Sequence, residues 1–133
     1  MVKAVVESGK RKRAIARAVA KKGNGTIRVN SVNLRAYQSP IIRHIIGEPV
    51  AMADKYKDKL DISVNVEGGG SMSQAEASRT AIAKAILAYT DDEELREMYM
   101  DYDRTLLVSD TRQKEPKKQL GRGARKKRQK SYR

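Results

Sequence analysis

Between Thr111 and Arg133 the chain carries eleven Lys/Arg and one glutamate, Glu115, a net of +10. Side chains of this type neutralise phosphates and release their counterions, which gives affinity for a polyanion without choosing its sequence. The residues available for this are Arg112, Lys114, Lys117, Lys118, Arg122, Arg125, Lys126, Lys127, Arg128, Lys130 and Arg133. Arginine adds a planar fork for phosphate, and Tyr132 offers a ring on which a base can stack. Gly121 and Gly123 let the backbone turn and approach closely. The eighteen residues from Pro116 to Arg133 would span on the order of 60 Å if fully extended. A solubilising tail is the competing reading, and the scarcity of Ser and Glu here argues against it.

A second cationic group, "GKRKR" at 9–13, supplies Lys10, Arg11, Lys12 and Arg13, with Arg17, Lys21 and Lys22 close behind. Such runs are commonly solvated faces; beside a cationic arm, a phosphate-binding face is the better reading. "GGG" at 68–70 precedes a helical pattern. A glycine corner at a helix start can present N–H groups to a phosphate, here from Gly69 and Gly70. It lacks the Lys-Ser/Thr pair of a nucleotide-binding P-loop, and a tight strand-to-helix turn is the alternative.

No catalytic constellation is visible. His44 is the single histidine, on an isoleucine-rich segment, with no nucleophile or acid spaced to serve it. "DDEE" at 91–94 reads as an acidic first helical turn, because adjacent residues on a helix splay apart. Cysteine is absent, so neither disulfides nor Cys-ligated metals arise. No cofactor and no enzyme activity are expected.

The remaining 110 residues hold eighteen Lys/Arg and fifteen Asp/Glu. This nearly balanced body, residues 1–110, is separate in character from the arm, 111–133. Nucleic acid is the expected partner. An anionic membrane is not, since no apolar run approaches bilayer length and the start lacks a signal-peptide pattern. A cytoplasmic location fits, and no homo-oligomer is expected.

The elements that must position these residues follow from periodicity. "AIARAVAKKGNGTIRVN" alternates with a period of two, with a tight-turn signal at Gly23–Gly25, and reads as strands about a hairpin rather than an alanine-rich helix over 11–22. Ser39 and Pro40 start a helix bearing Ile41, Ile42, Ile45 and Ile46; Gly47 and Pro49 interrupt it, and a second helical piece is expected from Pro49 to about Lys57. "LDISVNV" is a strand with one buried face. A long helix follows, with capping boxes at Ser71–Gln74 and Ser73–Glu76, and Thr90 is expected to cap the next helix. "RTLLVSD" suggests a last short strand. The sum is α+β: a small sheet with helices on one side, then an arm.

Four segments, in order, resemble the universal small-subunit ribosomal protein nine family: "SGKRKRAIARAVAKKGNGTIRVN", "LDISVNVEGGGSMSQAEASRTAIAKAIL", "YDRTLLVSDTRQKEPKK" and "GARKKRQKSYR". The wording of the last two is similar to the archaeal and eukaryotic branch, and the length suggests an archaeal member. The chain departs at Ser73, where many members have Gly, and at Thr111, where many have Pro. The resemblance implies a fold like the second domain of small-subunit ribosomal protein five, with an unusual left-handed β-α-β crossover. It also implies binding to small-subunit rRNA in the head of the particle, among neighbouring head proteins, through the cationic residues named above, Gly69, Gly70 and Arg79. It further implies a tail tip, Lys130, Ser131, Tyr132 and Arg133, that reaches peptidyl-site tRNA. Without the resemblance, a free-standing nucleic-acid chaperone or DNA-compacting protein is the alternative.

Overall fold

The computed structural model describes residues 3–132. Five strands form one mixed sheet in the order β1-β2-β5-β3-β4. They are β1 (Ala4–Arg11), β2 (Ala14–Lys22), β3 (Ile27–Val29), β4 (Val32–Asn33) and β5 (Leu60–Glu67). Three helices, α1 (Pro40–Met52), α2 (Ser71–Thr90) and α3 (Glu93–Tyr102), complete the body. α2 packs on β1, β2 and β5, α1 packs on α2, and α3 touches α1. The α+β expectation of helices on one side therefore holds.

The period-two pattern of β2 resolves into a buried alanine face. Ala14, Ala16, Ala18 and Ala20 are fully buried, whereas Ile15 is 48% exposed. Small side chains let α2 approach closely, with Ala77, Ala81 and Ala85 buried on its side. Gly9 completes the seam: a Cβ there would collide with the Ala77 carbonyl and lie 2.7 Å from the Ala81 nitrogen. The larger core residues, Ile62, Val64, Val66, Val29, Ile82 and Ile86, fill the space beyond. Deeper still, Tyr99 of α3 is fully buried, and its hydroxyl donates to the Pro49 carbonyl at 2.6 Å. Burial pushes the Tyr99 phenol pKa upward.

Several sequence expectations are corrected. The β1–β2 hairpin turns at Lys12–Arg13, inside the Arg11↔Ala14 pair, and not at Gly23–Gly25. The glycine turn instead leads from β2 to β3, which do not pair; β5 lies between them, antiparallel to β2 and parallel to β3. Asp61 organises that turn, its carboxylate accepting from the Asn24 and Thr26 N–H groups at 2.8 and 3.0 Å. Helix α1 runs unbroken through Gly47 and Pro49 to Met52, so the second helical piece is absent; residues 54–59 form turns. Proline costs one intrahelical donor, near the end of a helix already anchored by buried Ile42 and Ile46.

Neither capping box forms. Gly70 is the N-cap of α2 without a side-chain bond, and Gln74 reaches back to the Gly68 carbonyl at 3.0 Å. Asp92, not Thr90, caps α3, accepting from Glu94 and Leu95; Thr90 ends α2, and Asp91 follows in the left-handed region at φ 54°. "RTLLVSD" gives a 3-10 turn at Arg104–Leu106, not a strand, and Asp110 makes a single parallel bridge beside Arg11.

Candidate nucleic-acid interface

Three features meet at one end of the sheet. The hairpin turn places Lys10, Lys12 and Arg13 in solvent, with Lys12 at φ 52°. The glycine corner lies against it: a Cβ on Gly68 would stand 2.5 Å from the Arg13 carbonyl, and one on Gly69 would stand 3.1 Å from the Ala14 nitrogen. Gly68 and Gly69 both take positive φ, +78° and +63°, and nothing lies within 4 Å of a Cβ on Gly70. The start of α2 is thus bare of side-chain capping and carries the positive end of the helix dipole. The arm leaves from the same end, through Asp110 beside Arg11.

The structure separates the seven cations of the N-terminal cluster. Lys21 and Lys22 lie at the far end of β2, roughly 30 Å from Lys12 along the strand. Arg17 lies on the sheet face away from the helices, opposite Ser8 and Asn65. Arg28, which sequence reading passed over, lies on that same face opposite Ser63 and Asn33. Its signal was present, one exposed cation alternating with Ile27 and Val29 in β3.

Two expected contacts have internal partners. Arg79 is held by Glu48 at 2.7 Å and Asp103 at 3.0 Å, with its side chain 11% exposed. Burial raises the Asp103 pKa, but hydrogen bonds from Thr105 and Arg79 and the Arg79 charge outweigh it and leave the carboxyl below its ordinary value. Arg11 Nε meets Glu76 at 2.6 Å, and its Nη1 lies 2.9 Å from Asp110, close in distance but poorly aligned as a hydrogen bond. These carboxylates come from distant segments, so no local pattern marks the two arginines as neutralised.

Residues 111–118 are exposed and without regular structure. The arm is not extended throughout, which corrects that expectation. Gly121 pairs with Lys127 in an antiparallel bridge, closing a loop over 121–127. A Cβ on Gly121 would stand 2.9 Å from the Lys126 carbonyl, so glycine suits that position. Arg112 pairs with Asp110 and Arg125 with Glu115 at 3.1 Å; Lys114, Lys117, Lys118, Arg122, Lys126, Lys127, Arg128 and Lys130 project into solvent. Ser131 and Tyr132 are exposed, and Arg133 lies outside the described residues.

The opposite pole is acidic. Just past the far end of α2, Asp91 to Glu94 are four carboxylates in a row, and α3 then runs back to Asp103 beside Arg79. His44 is exposed, and no group of three or more His, Cys, Asp or Glu among the described residues is arranged to hold a metal. No helix there is long and apolar enough to cross a membrane.

A small mixed-sheet body with one cationic end and a cationic arm is the form of a protein that docks on a polyanion. The chain belongs to the family described as ribosomal protein S9/S16, whose model matches residues 9–133. It is 55% identical over 97% of its length to the small ribosomal subunit protein uS9 of Thermoplasma acidophilum, covering all of that protein. It is 53% identical to the uS9 of Methanothrix thermoacetophila and 47% identical to that of Methanococcus vannielii, over 99% of this chain in each case and all of each relative. The family is one of ribosomal proteins, structural rather than catalytic, in agreement with the expectation that this is not an enzyme.

Proposed function

We propose that this chain is a structural constituent of the small ribosomal subunit, resident in the cytoplasm, that binds small-subunit rRNA with one end of its body and threads the arm along phosphates. The observation that carries this is the convergence of the basic turn Lys10–Arg13, the uncapped start of α2 and the root of the arm at one end of the sheet. An RNA backbone meeting that end would encounter Lys10, Lys12, Arg13 and free helix N–H groups, with Glu76 and Asp110 engaged by Arg11 and Glu67 the exposed carboxylate beside the corner. Gly69 and Gly70 permit the approach, and Arg17, Arg28 and Lys21 extend the contact over the open sheet face. Arg11 and Arg79 serve the body, and the acidic start of α3, Asp91 to Glu94, is left for solvent or neighbouring head proteins. The family likeness also supports a left-handed β3–α1–β5 crossover, an exception to the usual hand.

The arm tip, Lys130 to Arg133, is read as the part that reaches peptidyl-site tRNA. The exposure of Lys130, Ser131 and Tyr132 and the stacking-capable tyrosine support this. The test is to delete Lys130–Arg133 and assemble the variant into small subunits. The variant should sediment with the subunit at wild-type stoichiometry in high salt, while affinity for peptidyl-site tRNA falls. Unchanged tRNA affinity would sink the tRNA role. Loss of subunit association by the full-length protein as salt rises, with equal binding to duplex DNA, would instead favour a general polyanion binder.

A further inference from the structure

Asp110 is the last residue of the body and the first anchor of the arm. Its carboxylate is gripped from both sides. From the arm, Arg112 donates in a fork, Nη2 to Oδ2 at 2.8 Å and Nε to both oxygens at 3.1 and 3.2 Å, while the Arg112 backbone N–H reaches Oδ1 at 3.0 Å. From the body, Arg11 of β1 lies 2.9 Å away and is itself held by Glu76 of α2 at 2.6 Å. The Arg11 and Asp110 side chains are each only 17% exposed, so solvent weakens that link less than an open surface pair, whereas Arg112 holds Asp110 from the solvent side, 81% exposed. The backbone adds its own registration, a parallel bridge between Arg11 and Asp110. By contrast, the ion pair further along the arm, Arg125–Glu115, is 87% and 53% exposed.

We propose that Asp110 is a positioning residue: the Glu76–Arg11–Asp110–Arg112 chain fixes the direction in which the arm leaves the body, so that the arm is aimed before it meets RNA. The proposal rests on the reading of the arm as an RNA-binding element. Two backbone-linked anchors, at Asp110 and Arg112, restrict the root; among the described residues, 113–118 make no pairing with the body beyond a long 3.5 Å contact from Gln113 to the Lys12 carbonyl. Ordering the root during folding removes that entropy cost from binding.

Charge alone predicts the opposite outcome from aiming. Asp110→Asn raises the net charge above +13 and frees Arg112, while Arg11 keeps Glu76; by electrostatics this should tighten RNA binding. Aiming predicts weaker binding, by about tenfold if the ordering of roughly one residue shifts from folding to binding. The chain has no cysteine, so spin labels placed at Lys59→Cys and Lys114→Cys report one distance on the full-length protein. The expected result is a narrow distance distribution that broadens in Asp110→Asn, with reduced small-subunit rRNA affinity. Arg125→Gln, which removes a charge without touching the root, should leave the distribution narrow. An unchanged distribution in Asp110→Asn overturns the clamp. A broadened distribution with equal or tighter RNA binding overturns its role in aiming. If deletion of 111–133 leaves rRNA affinity unaltered, the reading of the arm fails, and the distance measurement still decides whether the clamp exists.

Discussion

Arg79 and Lys12 carry the same charge and have different fates. Arg79 is enclosed by Glu48 and Asp103, so removing it strands two carboxylates. Arg79→Met should destabilise the body by roughly 2–3 kcal/mol, less than the 3–5 of a fully buried pair because Asp103 is partly solvated. Chemical denaturation measures this, and rRNA affinity of the folded variant should change little. Lys12 holds an exposed left-handed turn position and makes no ion pair among the described residues. Lys12→Gly should preserve or slightly raise stability, since glycine suits φ 52°, while lowering rRNA affinity a fewfold in a filter-binding titration. Asp110 predicts a pH dependence. Hydrogen bonds from the Arg112 side chain, then its backbone, together with the Arg11 charge, hold its pKa at about 2, against an ordinary 3.8. A depressed carboxyl contributes stability that is complete above its unfolded pKa and lost as pH falls through the folded value. The wild-type melting temperature should therefore decline between about pH 4 and pH 2, and more steeply than that of Asp110→Asn, as followed by circular dichroism.

The elements differ in how readable they were. β5 and α2 were legible because each has a long, uninterrupted period: Leu60, Ile62, Val64 and Val66 all face the core, and Ile82 and Ile86 share one buried stripe. The two turns were misassigned for a physical reason. Gly23–Gly25 has the composition of a hairpin turn, yet its neighbours pair with β5 instead of each other, and pairing across forty residues leaves no local trace. Lys12–Arg13 turns the chain without a glycine, held by the eight paired positions of β1 and β2. The capping boxes failed because Gly70, not a serine, is the N-cap, and the Gln74 side chain reaches the Gly68 carbonyl that the glycine corner brings near. Of the candidate site, the cations were legible and their partners were not: Glu48, Glu76 and Asp110 are remote in sequence from Arg79 and Arg11. The α2–β1 seam yields a prediction of its own. Gly9→Ala drives a methyl into the Ala77 carbonyl and should cost roughly 3 kcal/mol, seen as a lowered denaturation midpoint with an unchanged slope.

Across the whole molecule charge is divided, with a cationic end and arm against an acidic α3. Truncation after Asp110 removes +10 of the +13. The salt dependence of RNA binding should flatten accordingly, since its slope counts phosphates neutralised; a truncated protein with the full slope would shift the weight to the hairpin and sheet face. The sheet order also governs how the protein comes into being. Because β5 occupies the place between β2 and β3, the first hairpin can form early but stays a marginal two-stranded ribbon. It waits for a strand ending at Glu67 and for the helix that covers its alanines, which ends at Thr90. Chains cut short of that point should remain unfolded and expose the hairpin to proteases. A chain growing from its N-terminus passes from nothing stable to a nearly whole body within a short stretch of synthesis, and the arm, which adds little to that body, is made last.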